Sequence, residues 1–295
     1  MKITAQTRIA GVVGNPVRHS LSPVIHNAWI EAGGLDAVYL AFEPAKDGFR
    51  RFVEGLRGGV VLGLNVTIPF KEEALALADE ANERASKAGA ANLLLFGADG
   101  GIKADNTDGF GMMLALSKEG FQCEGPGFVV VSAVRGATTT GRAVILGAGG
   151  AARGAAAALV GAGVSHIAIV NRTVDRARTV SGLDQSISAH GWDEAAGLLE
   201  GAGLLINATS LGMTGQPPLE IKLDPLPTDA IVMDMVYRPL WTPLLRQAKA
   251  RGNRTVSGLT MLIDQAVPAF NEIFGGGAGS ADVWSLCLDA LGEEP

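Results

Sequence analysis

Residues 143–159 read AVILGAGGAARGAAAAL, and this stretch decides the fold. Ala143-Val144-Ile145-Leu146 is a short apolar run of the kind that forms a buried strand. Gly147-Ala148-Gly149-Gly150-Ala151-Ala152 follows and fits G-x-G-x-x-(G/A). The alanine-rich segment after it has high helix propensity. Strand, glycine turn and helix in that order are the context that gives the motif meaning. Gly147 allows a tight turn, Gly149 lets a pyrophosphate approach the backbone, and Ala152 permits close helix–strand packing. The helix N-terminus then offers unpaired N–H groups and a positive dipole end to phosphate. A nucleotide-binding βαβ unit is expected, and with it an α/β fold.

The next strand selects the dinucleotide. His166-Ile167-Ala168-Ile169-Val170 is apolar and β-branched, as a second strand of the unit should be. An NAD site usually carries Asp or Glu near its tip, to hold the ribose 2′-OH. Here the strand runs into Asn171-Arg172-Thr173, with Arg176 a turn later, and Asp175 comes only inside the helix start. Two guanidiniums suit a 2′-phosphate, which arginine grips in a fork. The cofactor expected is NADP(H), against the alternative of two solvated helix arginines.

The chain has 295 residues, 47% hydrophobic and 18% charged, long enough for two domains of ordinary globular composition. A formal net charge of −6 without a basic patch argues against a nucleic-acid partner. The N-terminus lacks a secretory apolar core, and no apolar run approaches a membrane span. Two cysteines, Cys123 and Cys287, make no disulfide framework, so a reducing cytoplasm is the expected home. Cys287 lies in an apolar run and reads as a buried thiol, Cys123 as an exposed one.

Along the chain, Arg8–Val13 reads as a strand ending at Gly14-Asn15-Pro16. His19-Ser20-Leu21-Ser22-Pro23 precedes a helical pattern from Val24 to Ala32, with Ser22 as N-cap and Pro23 at the first helical position. Ser20 has no such structural duty and is a candidate ligand contact; His19 and His26 read as structural. Strands are expected over Ala37–Phe42 and Val60–Val66, with helices over Asp47–Leu56 and Glu72–Ala81. Lys71, after Thr67-Ile68-Pro69-Phe70, is either a partly desolvated proton-transfer group or a solvated lysine opening a helix. Asp105-Asn106-Thr107-Asp108 leads into a helix over Phe110–Leu116, so helix capping competes with chemistry for Thr107 and Asp108. Two carboxylates without a neighbouring His make a poor metal set, and no metal is expected. Ser117–Arg142 marks the boundary between domains, with an extra strand or hairpin over Phe128–Val134. Further strands are expected over Gly203–Ile206, leading into Asn207-Ala208-Thr209-Ser210-Leu211-Gly212-Met213, and over Ile231–Met235, leading into Val236-Tyr237. Helices are expected from Thr242-Pro243 to Lys249, from Met261 to Phe274 after Ser257-Gly258, and over Asp282–Leu291.

Several separated stretches together resemble one family. GNPVRHSLSP (Gly14–Pro23), NVTIPFK (Asn65–Lys71), AGAANL (Ala88–Leu93), DNTDG (Asp105–Gly109), GAGGAAR (Gly147–Arg153), NRT (Asn171–Thr173), INATSLGM (Ile206–Met213) and GLTML-x-x-Q (Gly258–Gln265) occur in the order found in shikimate dehydrogenases. The resemblance implies NADP-linked, reversible reduction of 3-dehydroshikimate to shikimate. It implies two α/β domains: a substrate-binding domain from residues 1–110 plus 257–295, and a Rossmann-type doubly wound NADP-binding domain from residues 111–256. By that likeness Lys71 and Asp108 form the catalytic pair. A ketone that accepts hydride becomes an alkoxide and needs a proton donor within reach, which agrees with a lysine held by a carboxylate.

The substrate-binding positions implied are Ser20, Ser22, Thr67, Lys71, Asn92, Asp108, Tyr237 and Gln265. The cofactor-binding positions are Gly147, Ala148, Gly149, Gly150, Ala151, Asn171, Arg172, Thr173, Arg176, Thr209, Ser210, Met213, Val236 and Gly258. Leu93 stands where the family usually has Thr, and Ile273–Phe274 where it has Trp. Three readings follow: a shikimate dehydrogenase, a quinate- or aminoshikimate-type paralogue, or a non-catalytic NADP-binding regulator. Ser22 leans towards shikimate, and the intact Lys71/Asp108 pair argues against the regulator. The partners expected are a small-molecule substrate and, left open by the residues, a second copy in a homodimer.

Overall fold

The computed structural model describes residues 3–122, 138–139 and 141–293. Cys123, the Gly125-Pro126-Gly127 turn and the strand expected over Phe128–Val134 lie outside them. The chain divides into two compact units, Met1–Thr107 with Gln265–Pro295, and Asp108–Asp264. The dividing points lie three residues before the expected 110/111 and eight after the expected 256/257, so Asp108–Phe110 and Ser257–Asp264 fall in the second unit.

The first unit opens with β1 (Arg8–Val13), α1 (Ser22–Ala32), β2 (Ala37–Phe42), α2 (Phe49–Glu54) and β3 (Val61–Val66). It continues through α3 (Lys71–Leu77), β4 (Glu80–Ala81), α4 (Glu83–Ala88), β5 (Leu93–Phe96) and β6 (Ile102–Asp105). The sheet runs in the order β2-β1-β3-β5-β6-β4. β1 is parallel to β2 and β3, whereas β5 is antiparallel to both its neighbours. Because β5 alone is reversed, its entry lies beside the exits of β3 and β6: Asn65 pairs with Leu93, and Leu93 with Asp105. One sheet edge therefore collects Thr67, Asn92 and Asn106–Thr107.

Most expected boundaries hold to within a few residues; three of those that move have a local cause in view. Leu21, not Ser22, caps α1, in helical backbone geometry and without a side-chain cap bond; Ser22 is the first helical residue. The helix expected over Glu72–Ala81 ends at Leu77, where Ala78 turns extended (φ −74°, ψ 142°). The cause is Asp79, whose carboxylate accepts the Ile102 N–H at 2.7 Å and pairs with Arg57, drawing the chain against β6 as β4. Asp47–Leu56 contracts to Phe49–Glu54 between Gly48 and Gly55.

The second unit begins with α5 (Asp108–Lys118), β7 (Phe121–Gln122), β8 (Thr138–Thr139), β9 (Arg142–Leu146), α6 (Gly150–Gly161) and β10 (His166–Val170). Then come α7 (Val174–Ser181), β11 (Ile187–His190), α8 (Ala195–Leu198), β12 (Leu204–Asn207), β13 (Ile231–Asp234), α9 (Pro243–Ala250) and β14 (Arg254–Ser257). α10 (Gly258–Phe274) carries the chain back to the first unit, which α11 (Val283–Leu291) completes. β7 and β8 form a separate parallel pair. The main sheet is all parallel in the order β11-β10-β9-β12-β13-β14, a doubly wound arrangement.

Alternation along the strands assigns side chains to two cores. Ala143 and Ile145 pack with Met112, Leu116, Ala152, Ala156 and Leu159 from α5 and α6. Val144 and Leu146 pack with Leu199, Leu244, Leu245 and Ala248 on the other face. Burial on both faces explains why these strands read as unbroken apolar runs. Among the described residues no helix is long and apolar enough to cross a membrane. Cys287 is buried in α11, which pushes its thiol up to about 11.

Candidate active site

In the second unit the strand order reverses between β9 and β12, the place where open α/β sheets receive ligands. Two loops flank that point. Gly147 leaves β9 with φ +110°, and a Cβ there would lie 3.0 Å from the Ala208 carbonyl oxygen and from Thr209 Cγ2. Only glycine combines that backbone with so close a neighbour loop. Gly149 is the N-cap of α6, and a Cβ on it or on Gly150 would meet nothing within 4 Å. The approach to the first N–H groups of a twelve-residue helix is thus open, as an anionic ligand requires. Ala152 is fully buried against the sheet, while Ala148 and Ala151 are half-buried.

The loop after β12 is held from below. Asn207, fully buried, accepts from Thr209 N–H (3.1 Å) and the Thr209 hydroxyl (2.7 Å) through Oδ1. Through Nδ2 it donates to the Leu211 carbonyl and to Asp234 Oδ1 at 2.9 Å. Asp234 also accepts Val236 N–H (3.0 Å) and the Thr242 hydroxyl (2.6 Å), and burial lifts its carboxyl to about 6 despite these bonds. Thr209 is therefore a turn-forming residue, with its hydroxyl proton given to Asn207. Ser210 is exposed, Met213 and Tyr237 are half-buried, and Val236 is buried. Gly258 belongs here because a Cβ would sit 2.3 Å from the Met235 carbonyl oxygen.

At the tip of β10, the Asn171 side chain donates to the Thr173 carbonyl at 2.9 Å, fixing the turn into α7. Thr173 caps α7 without using its hydroxyl. Arg172 and Arg176 are both exposed and have no ion-pair partner among the described residues. Asp175, in the first turn of α7, is paired with Arg178 at 2.7 Å. The two exposed guanidiniums of this tip fit a ribose 2′-phosphate.

In the first unit the order reverses between β1 and β3, and the same rule applies. The loops after these strands interlock: Thr67 N–H donates to the Val13 carbonyl (2.9 Å) and Asn15 N–H to that of Ile68 (3.0 Å). Glu43 holds the far side of the first loop by accepting Val17 N–H at 2.9 Å. Ser20 Oγ accepts Ser22 N–H at 3.3 Å, a local duty the sequence does not suggest. Along the same edge Asn92, Thr107 and Gln265 form a buried cluster. Asn92 Oδ1 accepts Thr107 N–H (2.8 Å), and Asn92 Nδ2 donates to Thr107 Oγ1 (3.0 Å) and Gln265 Oε1 (3.2 Å). The Thr107 hydroxyl lies 3.2 Å from the same Gln265 oxygen. Lys71 opens α3 after this edge, half-buried, its carbonyl accepting Ala91 N–H at 2.8 Å. Asp108 is half-buried and is the first residue of both α5 and the second unit. Asp105, by contrast, is committed to a two-pronged ion pair with Arg84.

Two polar residues escape a sequence reading because each lies inside an apolar strand. Asn65, in β3, donates to the Asn92 carbonyl and accepts the Tyr39 hydroxyl at 2.7 Å. Tyr39, in β2, is buried, and desolvation raises its phenol well above the usual value, opposed by a hydrogen bond from Ser22. His26 stacks on Tyr39 at 4.0 Å; burial lowers it to about 3, so it is neutral.

These two crevices match known proteins along the whole chain. Residues 12–94 fit the family model described as the shikimate dehydrogenase substrate binding domain, and residues 130–213 fit that of shikimate / quinate 5-dehydrogenase. A Caulobacter vibrioides protein named shikimate dehydrogenase (NADP(+)) is 53% identical, covering 99% of this chain and 98% of its own. The crystal structure of shikimate 5-dehydrogenase from Thermus thermophilus in complex with NADP(H) and shikimate is 31% identical with a TM-score of 0.81, over 96% of this chain and 99% of that one. A quinate dehydrogenase from Corynebacterium glutamicum in complex with NAD is 26% identical with a TM-score of 0.82, over 96% and 99%. With the glycine turn, the charged strand tip and the amide cluster in the sequence order of that family, the chain belongs to the shikimate dehydrogenases.

Proposed function

We propose that this protein is an NADP-dependent shikimate dehydrogenase that interconverts 3-dehydroshikimate and shikimate. The observation that carries the reading is the Asn92–Thr107–Gln265 cluster at the carboxyl edge of the first unit's sheet. Buried amides and hydroxyls of this kind suit a polyol, and they reject analogues that leave them unpaired. The first unit, with boundaries near 110 and 257, is assigned the substrate, and the segment between them the dinucleotide. Ser20, Ser22, Thr67, Asn92, Gln265 and Tyr237 are assigned to substrate.

Gly147–Ala151 would take the pyrophosphate; Asn171, Arg172, Thr173 and Arg176 the 2′-phosphate; Thr209, Ser210, Met213, Val236 and Gly258 the nicotinamide half. NADPH, when bound, supplies the hydride. Lys71 donates its proton to the developing alkoxide oxygen, and Asp108 orients the ammonium and accepts a substrate hydroxyl. In the reverse direction the neutral Lys71 amine takes the hydroxyl proton. Cytoplasmic location and assembly as a homodimer complete the proposal.

The test is nicotinamide absorbance on mixing the protein with NADP+ and shikimate, quinate or aminoshikimate in turn. Turnover highest with shikimate supports the assignment. Preference for quinate or aminoshikimate replaces it with a paralogue, and NADPH binding without any turnover replaces it with a regulator.

A further inference from the structure

Two polar side chains end the apolar rows of the second unit's sheet. On one face of β9, β12 and β13, Val144, Leu205 and Val232 stand in register as core residues, and Leu146 follows Val144 two positions on. The corresponding positions on β12 and β13 are Asn207 and Asp234, in register with each other and both fully buried. The core at this level accepts leucine, as Leu146 shows, so packing alone does not call for an amide and a carboxylate. Burial also lifts the Asp234 carboxyl to about 6, so the charged form is held there against a cost.

The amide has one possible orientation. Thr209 N–H can only donate and the Leu211 carbonyl can only accept, so Asn207 Oδ1 faces the first and Nδ2 the second, each at 3.1 Å. Oδ1 also accepts the Thr209 hydroxyl (2.7 Å), and Nδ2 gives its second proton to Asp234 Oδ1 (2.9 Å). That fills two donor and two acceptor positions, which is all an amide has. Thr209 Oγ1 in turn accepts Leu211 N–H at 3.0 Å. The turn 209–211 is thus closed around one side chain, and that side chain has nothing left for a ligand. Asp234 fastens the amide from behind and, through the same oxygen, accepts Val236 N–H at 3.0 Å. The held turn borders the glycine loop, because a Cβ on Gly147 would lie 3.0 Å from the Ala208 carbonyl oxygen and from Thr209 Cγ2.

We infer that Asn207 is a positioning residue for the cofactor, holding the turn 209–211 in its binding shape beside the glycine loop before NADP(H) arrives. The inference rests on the proposed assignment of Thr209 and Ser210 to the nicotinamide half. Without the amide, Thr209 N–H and the Leu211 carbonyl lose their shared partner and the Thr209 side chain regains its rotor. Ordering the turn at binding then costs roughly three- to tenfold in affinity.

The test is the Kd for NADPH by titration calorimetry, which needs neither carbon substrate nor turnover. Asn207→Ala should raise it roughly three- to tenfold, with the KM for the carbon substrate at saturating NADP+ within about twofold of wild type. Thr209→Val keeps a methyl beside Gly147 and removes only the hydroxyl. It should raise the Kd too, and by less in an Asn207→Ala background than alone, since both act through one bond. Thr242→Val is the control for stability: it takes the 2.6 Å bond from Asp234 and the side-chain cap from α9 and leaves all four Asn207 bonds in place. Its urea midpoint should fall with the NADPH Kd unchanged. An unchanged Kd in Asn207→Ala overturns the inference, as do strictly additive effects with Thr209→Val. A Kd raised as far in Thr242→Val as in Asn207→Ala also overturns it, by making the amide merely structural. If Asn207→Ala does not fold, Thr209→Val decides alone, and an unchanged Kd there overturns the inference. The carbon substrate is whichever of shikimate, quinate or aminoshikimate the wild type oxidises best, so failure of the shikimate assignment and failure of the Asn207 role register separately.

Discussion

Reversing the charge at Arg172 tests the cofactor assignment most directly. Arg172 and Arg176 stand exposed at the β10 tip, and Asp175 is held by Arg178 at 2.7 Å. Among the described residues neither guanidinium is in an ion pair, so both are available to a 2′-phosphate. A charge-assisted hydrogen bond is worth roughly 1.5–3 kcal/mol. At a solvent-exposed tip, screening puts Arg172 at the lower end, about 1.5 kcal/mol, or roughly tenfold in binding. Arg172→Asp removes that attraction and sets a carboxylate against the phosphate, and the combined effect should be about 10²-fold in the KM for NADP+.

NAD+ lacks the phosphate, so its KM should hold steady or improve, because the new carboxylate can accept the ribose hydroxyl. Initial rates with each cofactor at saturating carbon substrate give both values. Repeating them in roughly 0.5 M salt should shrink the NADP+ penalty, since exposed charges are screened over a few ångströms at that ionic strength. Equal loss with both cofactors, or a penalty indifferent to salt, would refute the reasoning and return the arginine to the fold.

Lys71→Ala should lower kcat by roughly 10²–10⁴ while leaving substrate KM within a few fold, as removal of a general acid–base group does; near wild-type turnover in steady-state assays would end its catalytic role. Asp234 gives a pH signature. Its carboxyl is raised from 3.8 to about 6 in the fold, so its contribution to stability is fully present below pH 3.8 and is lost as pH rises through about 6. Asp234→Asn removes the titration, so the variant should gain about 3 kcal/mol on wild type between pH 4 and 7. Urea midpoints across that range read it, and parallel curves would contradict the burial argument. Gly258→Ala would place a methyl 2.3 Å from the Met235 carbonyl, backbone against backbone, and should destabilise by at least about 1–3 kcal/mol in the same urea assay.

The parts of the fold legible in the sequence are those where one residue type answers one physical demand. β9, β10, β12 and β13 are buried on both faces, so each reads as an apolar run. β11 (ISAH) and β14 (RTVS) lie at the two sheet edges and mix polar with apolar residues; nothing in their patterns separates them from loop. The helix expected at α3 runs too long because residues 72–81 keep helix propensity throughout. What ends it is Asp79 meeting Ile102 and Arg57, contacts 23 and 22 residues away in sequence.

The two candidate crevices differ in legibility for the same kind of reason. Both lie where a strand order reverses, between β9 and β12 and between β1 and β3. The second unit's crevice works by leaving side chains out: Gly147 for its φ, Gly149 and Gly150 for open approach, Gly258 for contact with Met235. Absent side chains at fixed spacing make a local motif that a single chain displays. The first unit's crevice works by bringing side chains in, and its partners are remote. Asn92 meets Gln265 across 173 positions, and Tyr39 meets Asn65 across 26. No spacing encodes such bonds, so Asn92 and Gln265 are reached from sequence only through likeness to a family. Tyr39 and Asn65 surface only once the sheet sets β2 one strand away from β3, with β5 beside β3. A site built from glycines announces itself in sequence, whereas a site built from amides and hydroxyls is written in the register of the sheet beneath it.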